Sequence, residues 1–431
     1  MGTVGRTRRA VVRRRIGAGV LALLLVIVGS GVAFYLHLNG NLRTAALTSG
    51  GHEKANASGH TPINLLVIGS DTRSSSADCA IGGDCSASSA TSTKATSASA
   101  NGDVLMVVHI SADRSNATVM SIPRDTMITV PACKDAATGA AETPHTDRIN
   151  STLQYGADCT SAAVHQLTGV PIDHFLVIDF AGVVKMSDAI GGVPVCVNNN
   201  VYDPYSHLKL AKGTHTLQGK AALEFLRTRH GFGDGGDIGR TVAQHIFLSS
   251  MLREMKSAST LANPVKVVKL ADAATSAVTV DTGLGSVNSL TSLAYQLGQV
   301  PGSRTTFVTM PTVADPANPN TVIPASNAQA LFTKIADDTS LTKPAGSGGT
   351  ATARSTATAS SGVSSAATSR GTTPTGSSTS SAATGDIHAT TVTAATGCAQ
   401  VGTAATVTVG GRAMTPTQAY AASPTVPDSA N

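Results

Sequence analysis

The chain has 431 residues, no tryptophan, 3% aromatic and 13% charged residues, and a formal net charge of +5 at pH 7. Arg6, Arg8, Arg9, Arg13, Arg14 and Arg15 account for that whole excess. The remainder is near neutral, so charge gives no case for nucleic acid as a partner. Most aromatics and long aliphatics fall between residues 61 and 340, and only that stretch is rich enough to bury a sizeable core.

In chain order, residues 1–15 form a basic segment and Ile16 to Leu38 an apolar run without Asp, Glu, Lys or Arg. As a helix the run reaches roughly 34 Å, against a hydrocarbon core of about 30 Å. A cleavable signal peptide has an apolar core of only about 7–15 residues. The run is therefore expected to be an uncleaved, single-pass anchor in the cell membrane. The preceding arginines hold the N-terminus in the cytoplasm and place everything after Leu38 outside.

Residues 39–60 read as a polar spacer. INLLVIG from Ile63 is a short apolar run ending in glycine, the pattern of a buried strand. Residues 74–100, rich in Ser, Ala and Thr, read as a mobile surface insertion. Val104–Ile110 and Ala117–Ile122 read as two further strands joined by a short polar link. Helical patterns follow at Ile149–Tyr155 and Ser161–Leu167, then a strand at Phe175–Asp179. A helix is expected over Phe180–Ile190, stopped by Gly191 and Gly192, followed by the strand VPVCV. Helices over Leu217–Leu226 and Ile238–Met255 and strands at Val278–Val280 and Thr305–Met310 complete an α/β alternation. Residues 341–385 are Ser/Thr/Ala/Gly low-complexity sequence, expected to be a disordered linker. Residues 386–431 form a short tail whose only β-like signal is the alternation in ATVTVGG.

The six cysteines are Cys79, Cys85, Cys133, Cys159, Cys196 and Cys398. All lie on the expected outer side, where disulfides persist. Six cysteines allow 15 pairings. Cys79 with Cys85, bracketing a Gly-rich turn, is one expected staple, and Cys133 with Cys159 is a second. None has zinc-site spacing.

Four segments at strand or helix ends carry candidate chemistry, because α/β folds place their sites there. They are Gly69–Arg73, Asn101–Asp103, Ser121–Thr126, and Arg227–Arg229 with Asp237–Arg240. Arg227 and Arg229 share a face only if the chain is extended there. The helix before them must then end near Phe225. Asp237 reads as an N-cap, with Arg240 in the first turn of the next helix and Gln244 one turn on. Arginine forks beside a helix N-terminus suit a multiply charged anion. Arg73 and Arg124 are further candidates for the same anion. Asp71 and Asp103 can share a Mg²⁺ ion whose other ligands are water and phosphate oxygens. Arginines with Mg²⁺ around a phosphate are the equipment of phosphoryl transfer. Each piece alone has a bland reading as a cap, turn or surface ion pair.

The segments INLLVIGSDTR, GDVLMVVHIS, MSIPRDT, RINSTLQYG, IDHFLVIDFAGVVKMSDAIGGVPV and LQGKAALEFLRTRHGFGDGGDIGR together resemble, in order, the LytR-CpsA-Psr (LCP) family over Ile63 to Leu252. The resemblance implies a single α/β/α sandwich with a mixed central sheet and an apolar tunnel for a polyprenyl chain. It implies a phosphotransferase that moves a glycopolymer from a polyprenyl-pyrophosphate carrier to peptidoglycan. It places magnesium on Asp71 and Asp103, and pyrophosphate on Arg124, Arg227, Arg229 and Arg240, with Gln244 in the helix motif. Two departures remove positive charge: Asn101-Gly102-Asp103 where the family often has Arg-Ser-Asp, and Ala243 where arginine is frequent. Asp125 is a candidate general base or, alternatively, orients an arginine. Two other functions stay open: hydrolysis of the same pyrophosphate with water as acceptor, and a non-catalytic, wall-binding or regulatory membrane protein.

Overall fold

The computed structural model describes residues 4–51, 53, 55, 59–70, 100–233, 235, 237–341, 389–391, 397–404 and 406–430. Asp71, Arg73, Cys79, Cys85, most of the expected insertion and the stretch from 342 to 388 lie outside them. The centre is an eight-stranded sheet of β1 (Arg43–Ala45), β2 (Ile63–Ser70), β3 (Gly102–Ile110), β4 (Ala117–Ile122), β5 (His174–Ile178), β6 (Val278–Asp281), β7 (Thr305–Thr309) and β8 (Ala389–Thr391). Their spatial order is β1-β6-β5-β2-β3-β4-β7-β8. The pairs β1/β6, β2/β5 and β4/β7 are parallel and the others antiparallel, so the sheet is mixed.

Strand alternation buries both faces. Leu66 and Ile68 of β2, with Leu105 and Val107 of β3, face a core closed by α2 (Ala157–Thr168) and α8 (Ala328–Ala336). Val67 and Met106 point to the opposite face. There lie α3 (Phe180–Ile190), α4 (Gly219–Arg227), α5 (Asp237–Met255), α6 (Pro264–Ala277) and α7 (Val287–Gln299). The helix expected at Phe180 has those bounds, because Asp179 caps it by accepting from Gly182 N and Gly191 ends it in the left-handed conformation. The helical pattern at 149–155 is a 3₁₀ segment.

The N-terminal helix α1 runs Val4–Asn41, and its Arg15–Asn41 portion is long and apolar enough to cross a membrane. Its C-terminal end is fastened to the domain. His37 Nε2 lies 3.0 Å from Asp272 Oδ1 of α6, and Asn39 Oδ1 accepts from Val287 N of α7 at 3.0 Å. The residues read as a spacer therefore include β1, an edge strand of the sheet, rather than only a free tether.

Two disulfides join described cysteines. Cys133–Cys159 is the expected second pair, and Cys196–Cys398 ties the tail to the strand Val193–Val197. Beyond that bond the tail is packed. Val407–Val409 pairs with Arg412–Met414, as the ATVTVGG alternation implies, and α9 (Pro416–Ala422) follows with a capping box at Thr415. Lys209 Nζ donates to Ser423 O at 2.8 Å and lies over the Tyr420 ring. The short tail packs on the main domain, with Ala399, Val401 and Ala419 buried.

Candidate active site

A cavity of about 340 Å³ opens between the β2–β3–β5 face and helices α3, α4 and α5. Its back is apolar: Val67, Met106, Ile178, Val183, Leu223 and Leu248. Its mouth carries Asp103, Asp203, Arg227, Arg229, His230 and Arg240, with Gln244 at the boundary.

Local sequence builds this mouth. Ser70 pairs with Gly102 after a register shift at Gly69, and such a bulge re-aims the side chains beside it. Gly69 is required: a Cβ there would stand 2.8 Å from Val104 Cβ. Helix α4 continues to Arg227, two residues past the expected end at Phe225, and Thr228 then turns extended at φ −64°, ψ 122°. That break lets Arg227 and Arg229 line one cavity. The loop beyond is pinned by Phe232, buried and 5.1 Å from the Phe225 ring. A Cβ on Gly239 would fall 2.3 Å from Phe232 O, so this glycine lets the loop close on the start of α5. Arg240 follows in the first turn, nearly fully buried, its Nη2 3.4 Å from Asp103 O. Asp237 is the first residue of α5.

A second set of charges braces the mouth from β4's end. Arg124 pairs with the Asp103 carboxylate. Arg124 Nε lies 3.4 Å from Asp125 Oδ2, and Arg148 Nη1 lies 3.6 Å from Asp125 Oδ1. Asp125 is thus held between two arginines and is absent from the cavity lining. Gln244 lines the cavity, but its side-chain amide donates to Leu226 O at 3.1 Å, which braces the end of α4 against α5.

The structure therefore gathers Asp103, Arg227, Arg229, Arg240 and Gln244, drawn from residues far apart in sequence, around one cavity, with Arg124 joined to it through Asp103. Asp71 and Arg73 lie outside the described residues. Among the described residues no group of three or more His, Cys, Asp or Glu gathers as a metal cage. One carboxylate at the mouth, Asp103, fits the sparse protein ligation that Mg²⁺ takes when phosphate oxygens and water complete its shell.

Sequence reasoning passed over three residues here. Asp203 is fully buried, and that burial pushes its carboxyl above the usual range. Tyr205 and His230 stand beside it with ring centroids 4.7 Å apart. His230 was signalled only by its place directly after Arg229; Asp203, in VYDPYSH, had no signal.

A mixed sheet with helices on both faces and an arginine-lined cavity between sheet and helices defines an α/β/α sandwich. The family model of the LytR_cpsA_psr family matches residues 32–339, and the chain belongs to that family. It is 35% identical over 227 residues to the cell wall biosynthesis protein LcpA of Corynebacterium glutamicum, covering 49% of this chain and 43% of that protein. It is 27% identical over 216 residues to the polyisoprenyl-teichoic acid–peptidoglycan teichoic acid transferase TagU of Bacillus mycoides, covering 50% of this chain and 60% of that one. The chain thus spans less than two-thirds of the length of either relative. The fold matches a LytR-Csp2A-Psr enzyme from Actinomyces oris with a TM-score of 0.51 at 22% identity, covering 68% of this chain and 96% of that one.

Proposed function

We propose that this chain is a phosphotransferase that moves a glycopolymer from a polyprenyl-pyrophosphate carrier onto peptidoglycan at the outer face of the cell membrane. The observation that carries the reading is the single cavity with an apolar back and an arginine-lined mouth. A donor with a prenyl tail joined to a pyrophosphate has the same division. The tail enters between β2, β3 and α3–α5, and the pyrophosphate meets Arg227, Arg229 and Arg240. Arg124 steadies Asp103 at the edge of that opening. The names of the relatives, which act in cell wall biosynthesis and teichoic acid transfer, support the same class.

Asp103, with Asp71, would hold Mg²⁺, which neutralises pyrophosphate charge when bound. The arginines orient the sugar-linked phosphorus for in-line attack and stabilise the charge on the leaving polyprenyl phosphate. The apolar helix, attached by its end to α6 and α7, keeps the cavity close to the bilayer in which the donor resides. The disulfides Cys133–Cys159 and Cys196–Cys398 fit an oxidising, external compartment.

The test incubates the full chain in detergent micelles with a polyprenyl-pyrophosphoryl sugar, Mg²⁺ and peptidoglycan fragments. Release of polyprenyl phosphate together with sugar on the fragments is expected, and both are expected to fail with chelator and in Arg227→Ala. Release without transfer would replace this reading with hydrolysis. A bound donor that is never cleaved would replace it with a wall-binding role.

A further inference from the structure

The mechanism above leaves one step without a residue: something must take the proton from the attacking hydroxyl. The carboxylates nearest the mouth are engaged. Asp103 pairs with Arg124, Asp125 sits between Arg124 and Arg148 outside the cavity, and Asp179 caps α3 through Gly182 N. His230 is not tied to any of these.

His230 lines the cavity one residue past Arg229. Its side chain is 40% exposed, while Asp203 behind it is 0% exposed. Asp203 Oδ2 accepts from the His230 backbone N at 3.1 Å and lies 3.8 Å from Nδ1. Asp203 Oδ1 accepts from Tyr205 N at 3.0 Å, which fixes the carboxylate plane. His230 Nδ1 is buried without a hydrogen-bond partner among the described residues. The exposed part of the ring therefore lies away from Nδ1. The Tyr205 ring, tilted 49° to the imidazole, forms one wall of the slot. Asp203 is the acceptor nearest Nδ1, and a proton held on Nδ1 toward it would leave the Nε2 lone pair free for a substrate.

We propose that His230 is the general base for the acceptor hydroxyl and that Asp203 is its positioning residue. This rests on the transfer reading above. In the step, the acceptor oxygen forms a bond to the sugar-linked phosphorus. The bond from that phosphorus to the bridging oxygen breaks, and its electron pair leaves with polyprenyl phosphate. The hydroxyl proton goes to His230 Nε2, and from there to the departing phosphate or to water. No oxidant or further reactant is consumed. The imidazolium formed on the way is compensated by Asp203, the arrangement a nucleophile's base commonly uses. Burial holds the Asp203 carboxyl above its ordinary range, so a cation forming on His230 is also what favours its charged state.

Asp203 and Tyr205 face the ring directly from the 203–206 turn. Arg227 and Arg229 from α4 and its exit, Arg240 from α5, and Asp103 from β3 share the cavity with it. A pH profile reads all of these together, so the test pairs the profile with variants and with rescue. The full-length chain, His230→Gln, His230→Ala and Asp203→Asn are compared for donor Kd, for kcat of transfer to peptidoglycan fragments, and for the pH dependence of kcat. His230→Gln is expected to lower kcat about 10²–10⁴-fold, keep donor Kd within about twofold, and lose the acid limb seen in the parent. Added imidazole is expected to restore part of the His230→Ala rate. Asp203→Asn is expected to lower kcat less and to move the acid limb. Should Asp203→Asn fail to fold, His230→Gln and imidazole rescue decide alone. A parent that transfers nothing overturns the transfer reading and the base with it. A parent that transfers while His230→Gln keeps its rate and acid limb overturns the base only. Loss of donor affinity with kcat intact overturns it too, and makes His230 a donor ligand.

Discussion

The two faces of the central sheet are built from the same strands, yet one is packed shut and the other, besides its packed clusters, keeps a cavity against α3, α4 and α5. Leu66, Ile68, Leu105 and Val107 point into a closed core against α2 and α8, each at or near zero exposure. Val67, Met106 and Ile178 point the other way and line the cavity. Alternation delivers both sets, so apolar content does not distinguish a core from a binding chamber. The helices do. On the closed side, α2 and α8 press their apolar stripes onto the sheet. On the open side, α4 ends and α5 begins beside the strand ends, and the loop between them brings Arg227, Arg229 and Arg240 where a filled core would have put leucines.

The largest effect expected from breaking this contrast is on the cavity side. Val183→Trp puts an indole from α3 into the cavity back. Transfer from a long-chain polyprenyl donor is expected to fall on the order of 100-fold in kcat/KM, while a donor with a short prenyl group loses little. Assaying both donors in parallel with the same acceptor separates a blocked chamber from a damaged mouth. Equal losses on both donors would remove the prenyl from the cavity.

Next in size is an effect that couples the mouth to the sheet. His245 on α5 is 6% exposed, shares a 2.6 Å hydrogen bond with Ser121 of β4, and packs against Phe307 of β7. Burial lowers its imidazole from 6.5 to about 4. The sign follows from linkage. The unfolded chain takes up the proton first as pH falls below about 6.5, so the stability from neutral His245 is complete above that pH. It drains away as pH falls toward 4, by at most about 3 kcal/mol. Urea unfolding across that range should show the loss in the parent, and His245→Gln should flatten that part of the slope.

How much of this was legible in the sequence depends on how local each feature is. The helix Phe180–Ile190 was, because its cap Asp179 and its stop Gly191 are adjacent to it. The strands β2, β3 and β4 were, because short apolar runs end in glycine or turns. The edge strand β1 was not: three residues, Arg43–Ala45, owe their conformation to pairing with β6, more than two hundred positions away. The packed tail was not, because Cys196 and Cys398 are separated by 202 residues and nothing local orders Ala399 or Val401. At the site, the arginines and Asp103 stood out as motifs at element ends. The Asp203–His230 pair did not: His230 sits inside the arginine motif but Asp203 lies in no motif, and their meeting is a product of the turn at 203–206 packing on the exit of α4.

The smallest effects give the sharpest comparison, because one chemical deletion can be made on each face. Val107 is fully buried between the strands and α2, and Val107→Ala removes two carbons from a space that cannot refill. Its expected cost is about 2–3 kcal/mol, from lost transfer energy plus the void left behind. Val67, half-buried on the neighbouring strand, points its methyls at space that is already open. Val67→Ala should cost about 1 kcal/mol or less, while raising KM for the long-chain donor because the chamber loses a contact. Denaturant midpoints for the two variants, measured with an unchanged m-value, decide it. Equal costs would mean the open face closes on itself when no donor is bound, and the prenyl chain would then have to part α3 from the sheet in order to enter.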